Sequence, residues 1–222
     1  MAIDWFPLWL SLRVASLATL LSLLLGLWLA YLLANRRFRG REVLDAAVVL
    51  PLVLPPTVLG YYLLVLLGRE SPLGRLYEWI FGAPLVFTWQ AAVVAAMVHA
   101  IPLLVISARA ALESVDRSYE RAARNLGASE WRVFWKVSLP LARRSILAVS
   151  VLAFARTLGD FGITIMIAGN IPGRTQTMAV AIYDAVESGH GALARTLVIV
   201  ISVLALAILS IANRLAAKQA AG

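Results

Sequence analysis

The chain has 222 residues, 61% of them hydrophobic and 14% charged, with a mean hydropathy of +0.84; this lies outside the range of soluble domains and within that of polytopic membrane proteins. Cysteine is absent, which excludes a disulfide framework and any thiolate metal site. The net charge of +8 is read for membrane topology first and gives no reason to expect nucleic acid as a partner.

No Lys or Arg precedes Arg13, and the run from Val14 to Asn35 carries no charge, so a first span is expected over about 12–35. Four arginines follow it, at 36, 37, 39 and 41, where a signal peptide would carry a small-residue cleavage site, and they are expected to stay in the cytoplasm. A second span over 46–68 contains Pro51, Pro55, Pro56 and Gly60 and must be bent. Its freed carbonyls need neighbouring helices, side chains such as Thr57 and Tyr61, or water, so the kink serves either packing or an aqueous path. Residues 69–86 read as an outside loop with turn signals at Ser71-Pro72, Gly74 and Gly82. A third span over 87–108 carries His99 and Pro102. His99 either binds or gates an anion, or is a packed, hydrogen-bonded residue at a kink.

The segment 109–140 is the longest charged stretch. A helix over 118–127 places Tyr119, Ala122, Ala123 and Leu126 on one face and Glu120, Arg121, Arg124 and Asn125 on the other, with Ser118 to cap it and Gly127 to end it. So short a helix is unstable alone and needs something to dock against. Farther on, Trp131, Phe134, Trp135 and Ser138 share a face that should lie along the membrane surface, and Pro140 suits the first turn of the next helix. That fourth span, over 141–168, holds Arg156 and Asp160. At a spacing of four they can pair on one helix face; they serve either as a structural ion pair or as a wall of a translocation path. Residues 168–191 read as an outside loop with a short helix near 177–186, and a fifth span over 196–213 ends in Arg214 and Lys218.

Five spans put the amino terminus outside and the carboxy terminus in the cytoplasm. Four basic residues over 36–41, eight over 109–144 and two at 214 and 218 then face the cytoplasm, against Arg69, Arg75, Arg174 and Arg195 outside. The chain has two lysines, each preceded by a residue other than glycine (Trp135 and Ala217), so a GxxxxGK[ST] phosphate loop is absent. No spacing supports a catalytic triad, paired carboxylates or metal ligation, so no catalytic residue, metal or cofactor is expected.

The spacing of Ala122 and Ala123 with Gly127, Val137, Leu139 and Pro140 resembles the EAA loop of ABC importer permeases. It departs from that pattern at Arg121, where the motif usually has glutamate (Glu120 lies one residue earlier), and at Val137, often isoleucine. Two further stretches, LPLVLPPTVLGYYLLVLLGR (50–69) and FARTLGDFG (154–162), resemble molybdate ABC permeases, and the resemblance runs from about residue 8 to 214. It implies an all-α polytopic membrane protein of the type I ABC importer permease (methionine-permease-like) fold, with five transmembrane helices in one domain over 8–214. It also implies a cytoplasmic coupling loop over 109–140, in which Glu120, Arg121, Ala122, Ala123, Gly127, Leu139 and Pro140 meet a separate ATPase. The expected complex holds two permeases, two ATPases and a periplasmic or extracellular molybdate-binding protein in a bacterial inner membrane. Since five helices enclose little aqueous volume, a pathway lined by Pro55, Pro56, Thr57, Arg156 and Asp160 is expected between two copies. A tungstate or sulfate permease shares this mechanism. An ion-coupled secondary transporter is the rival of a different class; it would be expected to carry internal repeats, and none is seen.

Overall fold

The computed structural model describes residues 3–35 and 39–220, with the backbone alone for Asn35 and 213–220. Arg36, Arg37 and the side chains of Arg214 and Lys218, on which part of the topology rests, lie outside the described residues. The fold is all-helical and is built around α5 (Trp89–Glu113). Thr88 starts this helix by accepting the Ala91 N–H, a side-chain N-cap. In its most apolar window 61% of residues are buried, against 17% for α11 (Gly191–Ala220).

What lets other helices crowd α5 is the size of the side chains at the contacts. Helix α1 (Phe6–Asn35), about 45 Å long at 1.5 Å per residue, turns Ala15, Ala18, Ser22 and Ala30 inward, each fully buried. Gly26 continues the stripe, and a Cβ there would lie 3.1 Å from the Leu104 Cβ. Without a hydrophobic driving force between helices in lipid, such close approach is what holds them together. The opposite face of α1 exposes Leu20, Leu24 and Trp28, and α11 exposes Val203 and Leu206, as surfaces that meet acyl chains do. Helix α8 (Leu139–Leu158) packs against α5, α1 and α11. Near the start of α1, Ser11 accepts the N–H of Met178 at 2.7 Å, which fixes the start of α10 (Met178–Glu187).

Two of the expected spans are broken. The stretch 46–68 is not one kinked helix: α2 (Arg41–Val53) and α3 (Pro56–Leu67) are separated by a turn of 118°. Leu54 precedes Pro55, and Pro55 precedes Pro56, so both are pushed out of the helical region; their ψ angles are 142° and 140°. The two pieces are about 20 and 18 Å long, each shorter than the roughly 30 Å hydrocarbon core. The fourth span over 141–168 is likewise divided, into α8 and the short α9 (Gly162–Ile167), by Gly159, Asp160 and Phe161. Because the helix ends at Leu158, Arg156 and Asp160 do not share a face, and the ion pair that is one of the two readings above is not formed among the described residues.

Three further differences have local causes. The segment 69–86, expected as an outside loop, contains α4 (Pro72–Phe81): Ser71 accepts the Gly74 N–H at 2.8 Å, Pro72 occupies the first turn, and Gly82 closes the end at φ 71°. These residues act as caps. The segment after 129 is continuous with the next span. Helix α7 (Glu130–Val133), a π-turn over Phe134–Ser138 and α8 form one helical run from Glu130 to Leu158. The charged helix itself, α6, spans Arg117–Asn125. Among the described residues four helices are long and apolar enough to cross a membrane, or five if the bent pair α2–α3 counts as one span.

The breaks meet where α3 crosses α9. A Cβ on Gly162 would lie 2.6 Å from the Pro56 Cβ, and one on Gly60 2.7 Å from the Met166 Cβ. Gly162→Ala is expected to destabilise the protein by about 1–3 kcal/mol through overpacking. Gly191→Ala, where nothing lies within 4 Å, should leave thermal unfolding in detergent unchanged; equal effects of the two would contradict this packing.

Candidate functional site

Helix α6 is held by local chemistry at both ends. Asp116, two residues before the expected Ser118 cap, accepts the Ser118 N–H at 2.8 Å, and this bond holds its carboxyl below the usual carboxylate range. At the other end Gly127 adopts φ +82° with open space around it. Its N–H reaches the Arg124 carbonyl at 2.9 Å and the Ala128 N–H reaches that of Ala123 at 3.1 Å, the bond pattern of a Schellman stop.

The helix faces divide differently from the simple apolar and polar split. Glu120, Ala123 and Arg124 turn toward the protein, whereas Tyr119, Ala122 and Leu126 point away, with Leu126 89% exposed; Arg121 is exposed too. Hydrogen bonding sets this rotation. Glu120 accepts from Ser138 Oγ at 2.7 Å and from Arg124 at 3.4 Å, and Arg124 bonds Glu130 at 2.7 Å. That last bond holds the guanidinium pKa above its usual value. Charge-assisted bonds of this kind outweigh the small apolar gain from turning Ala122 inward.

Ser138 sits on the π-turn and is buried, so Glu120 is tied to the run that becomes α8. Leu139 packs beside Phe134, Ala142 and Ile146 against Ala108 and Leu112 of α5, while Pro140 is exposed in the first turn of α8. Tyr31 stacks on Phe134 at 4.6 Å. Arg109 bonds Glu113 at 3.0 Å and Asp45 at 3.2 Å, joining α5 to α2.

At the far end of α8, buried Asp160 lies 3.0 Å from Nδ1 of His99 on α5 and accepts from Thr164 Oγ1 at 2.5 Å. A carboxyl in apolar surroundings needs such partners. His99 is therefore the packed, hydrogen-bonded residue of the two readings above. Its partnership with Asp160, across 61 positions, has no trace in local spacing; the signal available was that two ionisable groups lie in apolar spans. Pro55, Pro56, Thr57 and Arg156 are exposed on the single chain. The structure brings Pro56 against Gly162, beside the Asp160 break, while Arg156 lies on the last turn of α8. Among the described residues no group of three or more His, Asp or Glu side chains is placed to hold a metal ion.

Residues 22–220 match the family described as binding-protein-dependent transport system inner membrane component. The chain is 47% identical over 209 residues to the molybdenum transport system permease protein ModB of Escherichia coli K12, covering 94% of this chain and 90% of that protein. It is also 47% identical to the ModB protein of Haemophilus influenzae over 180 residues, 81% of this chain and 78% of the relative. In fold it is similar to a chain of the MetNI methionine ABC transporter, with a TM-score of 0.73 at 17% identity over 96% of this chain and 94% of that one. A bacterial ABC transporter that imports alginate gives 0.75 at 17% identity, over 96% and 78%. The fold is thus that of a type I ABC importer permease, and the chain belongs to the family of binding-protein-dependent transport system inner membrane components.

Proposed function

We propose that this protein is the permease of an ATP-driven molybdate importer. It acts as a homodimer with two ATPase subunits in the cytoplasm and an external binding protein that delivers the oxyanion. The cargo reading is supported by the 47% identity to proteins named for molybdenum transport. The absence of a phosphate loop from the sequence is consistent with hydrolysis on a partner.

The observation that carries the mechanism is the position of α6. Its outer face, with Tyr119, Ala122 and Leu126, is unpartnered, while its inner face is bonded through Glu120 to Ser138 at the start of α8, which leads to the Asp160 break. An ATPase holding the outer face of α6 would move α8 with it. At the other end of that run, α9 is packed on α3 at Pro56 and Gly162, so the movement would reach both broken helices. Doubling of the chain about a two-fold axis would bring Pro55, Thr57 and Arg156, exposed on one copy, to line a path between copies. Closing and opening of the ATPases then becomes a rigid-body switch between two packings.

Reconstituted with its ATPase and binding protein, the chain should accumulate labelled molybdate only with ATP, and excess sulfate should not block it. Uptake without ATP would make it a secondary transporter, and preferential block by sulfate or tungstate would change the cargo. On the outer face of α6, Ala122→Trp should abolish ATPase copurification and uptake while altering permease stability by less than about 0.5 kcal/mol, as expected at an exposed position. Wild-type uptake by that variant at equal abundance would remove the docking role of α6.

A further inference from the structure

Beside α6 lies an open cleft of about 600 Å³, walled by Arg41 at the start of α2, by Arg117 and Arg121 of α6, and by Phe134 on the π-turn. The carboxylates that reach this cleft are already engaged: Glu120 with Ser138 and Arg124, and Glu113 with Arg109. Arg41, Arg117 and Arg121 form no ion pair within 4.0 Å among the described residues. The acid whose field Arg121 shares is Asp116, which is bonded to the Ser118 N–H. Arg41, Arg117 and Arg121 thus border a space in which Glu113 and Glu120 are each bonded to other partners and Arg124 adds a further cation; the lining stays net positive, which attracts an anion.

A second observation bears on the level of that space in a bilayer. Phe134 is also the centre of an aromatic cluster, with Tyr31 at 4.6 Å, Trp135 at 5.5 Å and Trp131 at 6.3 Å. Trp131 and Trp135 are 61% and 48% exposed. Tryptophan and tyrosine gather at the level of lipid headgroups, and the cleft shares the Phe134 wall with that cluster. Guanidinium forks match the paired oxygens of a phosphodiester.

We propose that this cleft binds the phosphate of an anionic phospholipid headgroup, of the phosphatidylglycerol class, between α2 and α6. The site rests on the reading above that segment 109–140 faces the cytoplasm. A bound headgroup would bridge Arg41 to Arg117 and Arg121, and so tie the coupling helix to the first half of the broken α2–α3 pair at the membrane surface.

Native mass spectrometry of the assembled permease–ATPase complex, delipidated and then exposed to phosphatidylglycerol or phosphatidylcholine, tests this directly. Phosphatidylglycerol should be retained in preference by about tenfold or more. The combined Arg41→Gln, Arg117→Gln and Arg121→Gln variant should fall to the phosphatidylcholine level, each single change should lower retention in part, and millimolar inorganic phosphate should not displace the lipid. Equal retention of the two lipids, or retention unaffected by any of the variants, would overturn the proposal. Displacement by phosphate would assign the cleft to a soluble anion instead. Lipid held by the permease alone but lost on assembly would assign it to an acidic surface of the ATPase. Orientation is read separately: because the chain has no cysteine, a Ser129→Cys variant can be labelled with an impermeant maleimide from either side of the membrane. Labelling from outside would sink the topology without touching the lipid measurement.

Discussion

Asp160 and His99 share a hydrogen bond of 3.0 Å in the buried interior, and this bond joins the broken end of α8 to the central helix. A helix that stops within apolar surroundings leaves carbonyls and, here, a carboxyl group without water. His99 and Thr164 supply partners for the side chain. Their presence permits α8 to end at Leu158 and α9 to start afresh at Gly162. Without them the same segment would gain by remaining one helix. The glycine that begins α9 is also the one that lets Pro56 approach, so one break provides the place against which the other is packed.

From that junction α8 and the turns before it run as one helical stretch back to Glu130, about 44 Å at 1.5 Å per residue. Its head is bonded to α6 through Glu130 and Arg124 and its π-turn through Ser138 and Glu120, and its sides are packed on α5, α1 and α11. The π-turn at Phe134–Ser138 is where this run departs from regular geometry, and it is also where Ser138 meets Glu120. Wide turns of this kind recur at functional positions because they re-aim a side chain without ending the helix. Movement applied to α6 is therefore applied to a rod whose other end lies at the two breaks.

Much of this was legible in the sequence. The uncharged runs gave the long helices α1, α5 and α11, because apolar length is a direct measure of membrane thickness. The spacing from Ala122 to Pro140 identified α6, because the stop at Gly127 requires a left-handed φ that glycine accepts. The size of the bend was not legible. Residues 46–68 are uniformly apolar, and hydropathy is blind to whether the chain continues or turns by 118°; the two consecutive residues before proline held that information. Asp160 was visible as costly, but i, i+4 spacing pointed to Arg156 when the partner came from another helix. The rotation of α6 was hidden for the same reason: Ala123 and Ala122 are equivalent on paper, and only the remote Ser138 distinguishes them.

The claim that α6 drives the pathway through Glu120 and Ser138 is tested most directly by the number of molybdate ions taken up per ATP hydrolysed in the reconstituted complex. Glu120→Ala removes the acceptor shared by Ser138 and Arg124 while leaving the outer face of α6 intact. The account predicts that the ATPase stays bound and hydrolysing while uptake per ATP falls by about tenfold or more, as expected for loss of a charge-assisted hydrogen bond. An unchanged ratio at wild-type uptake would contradict it.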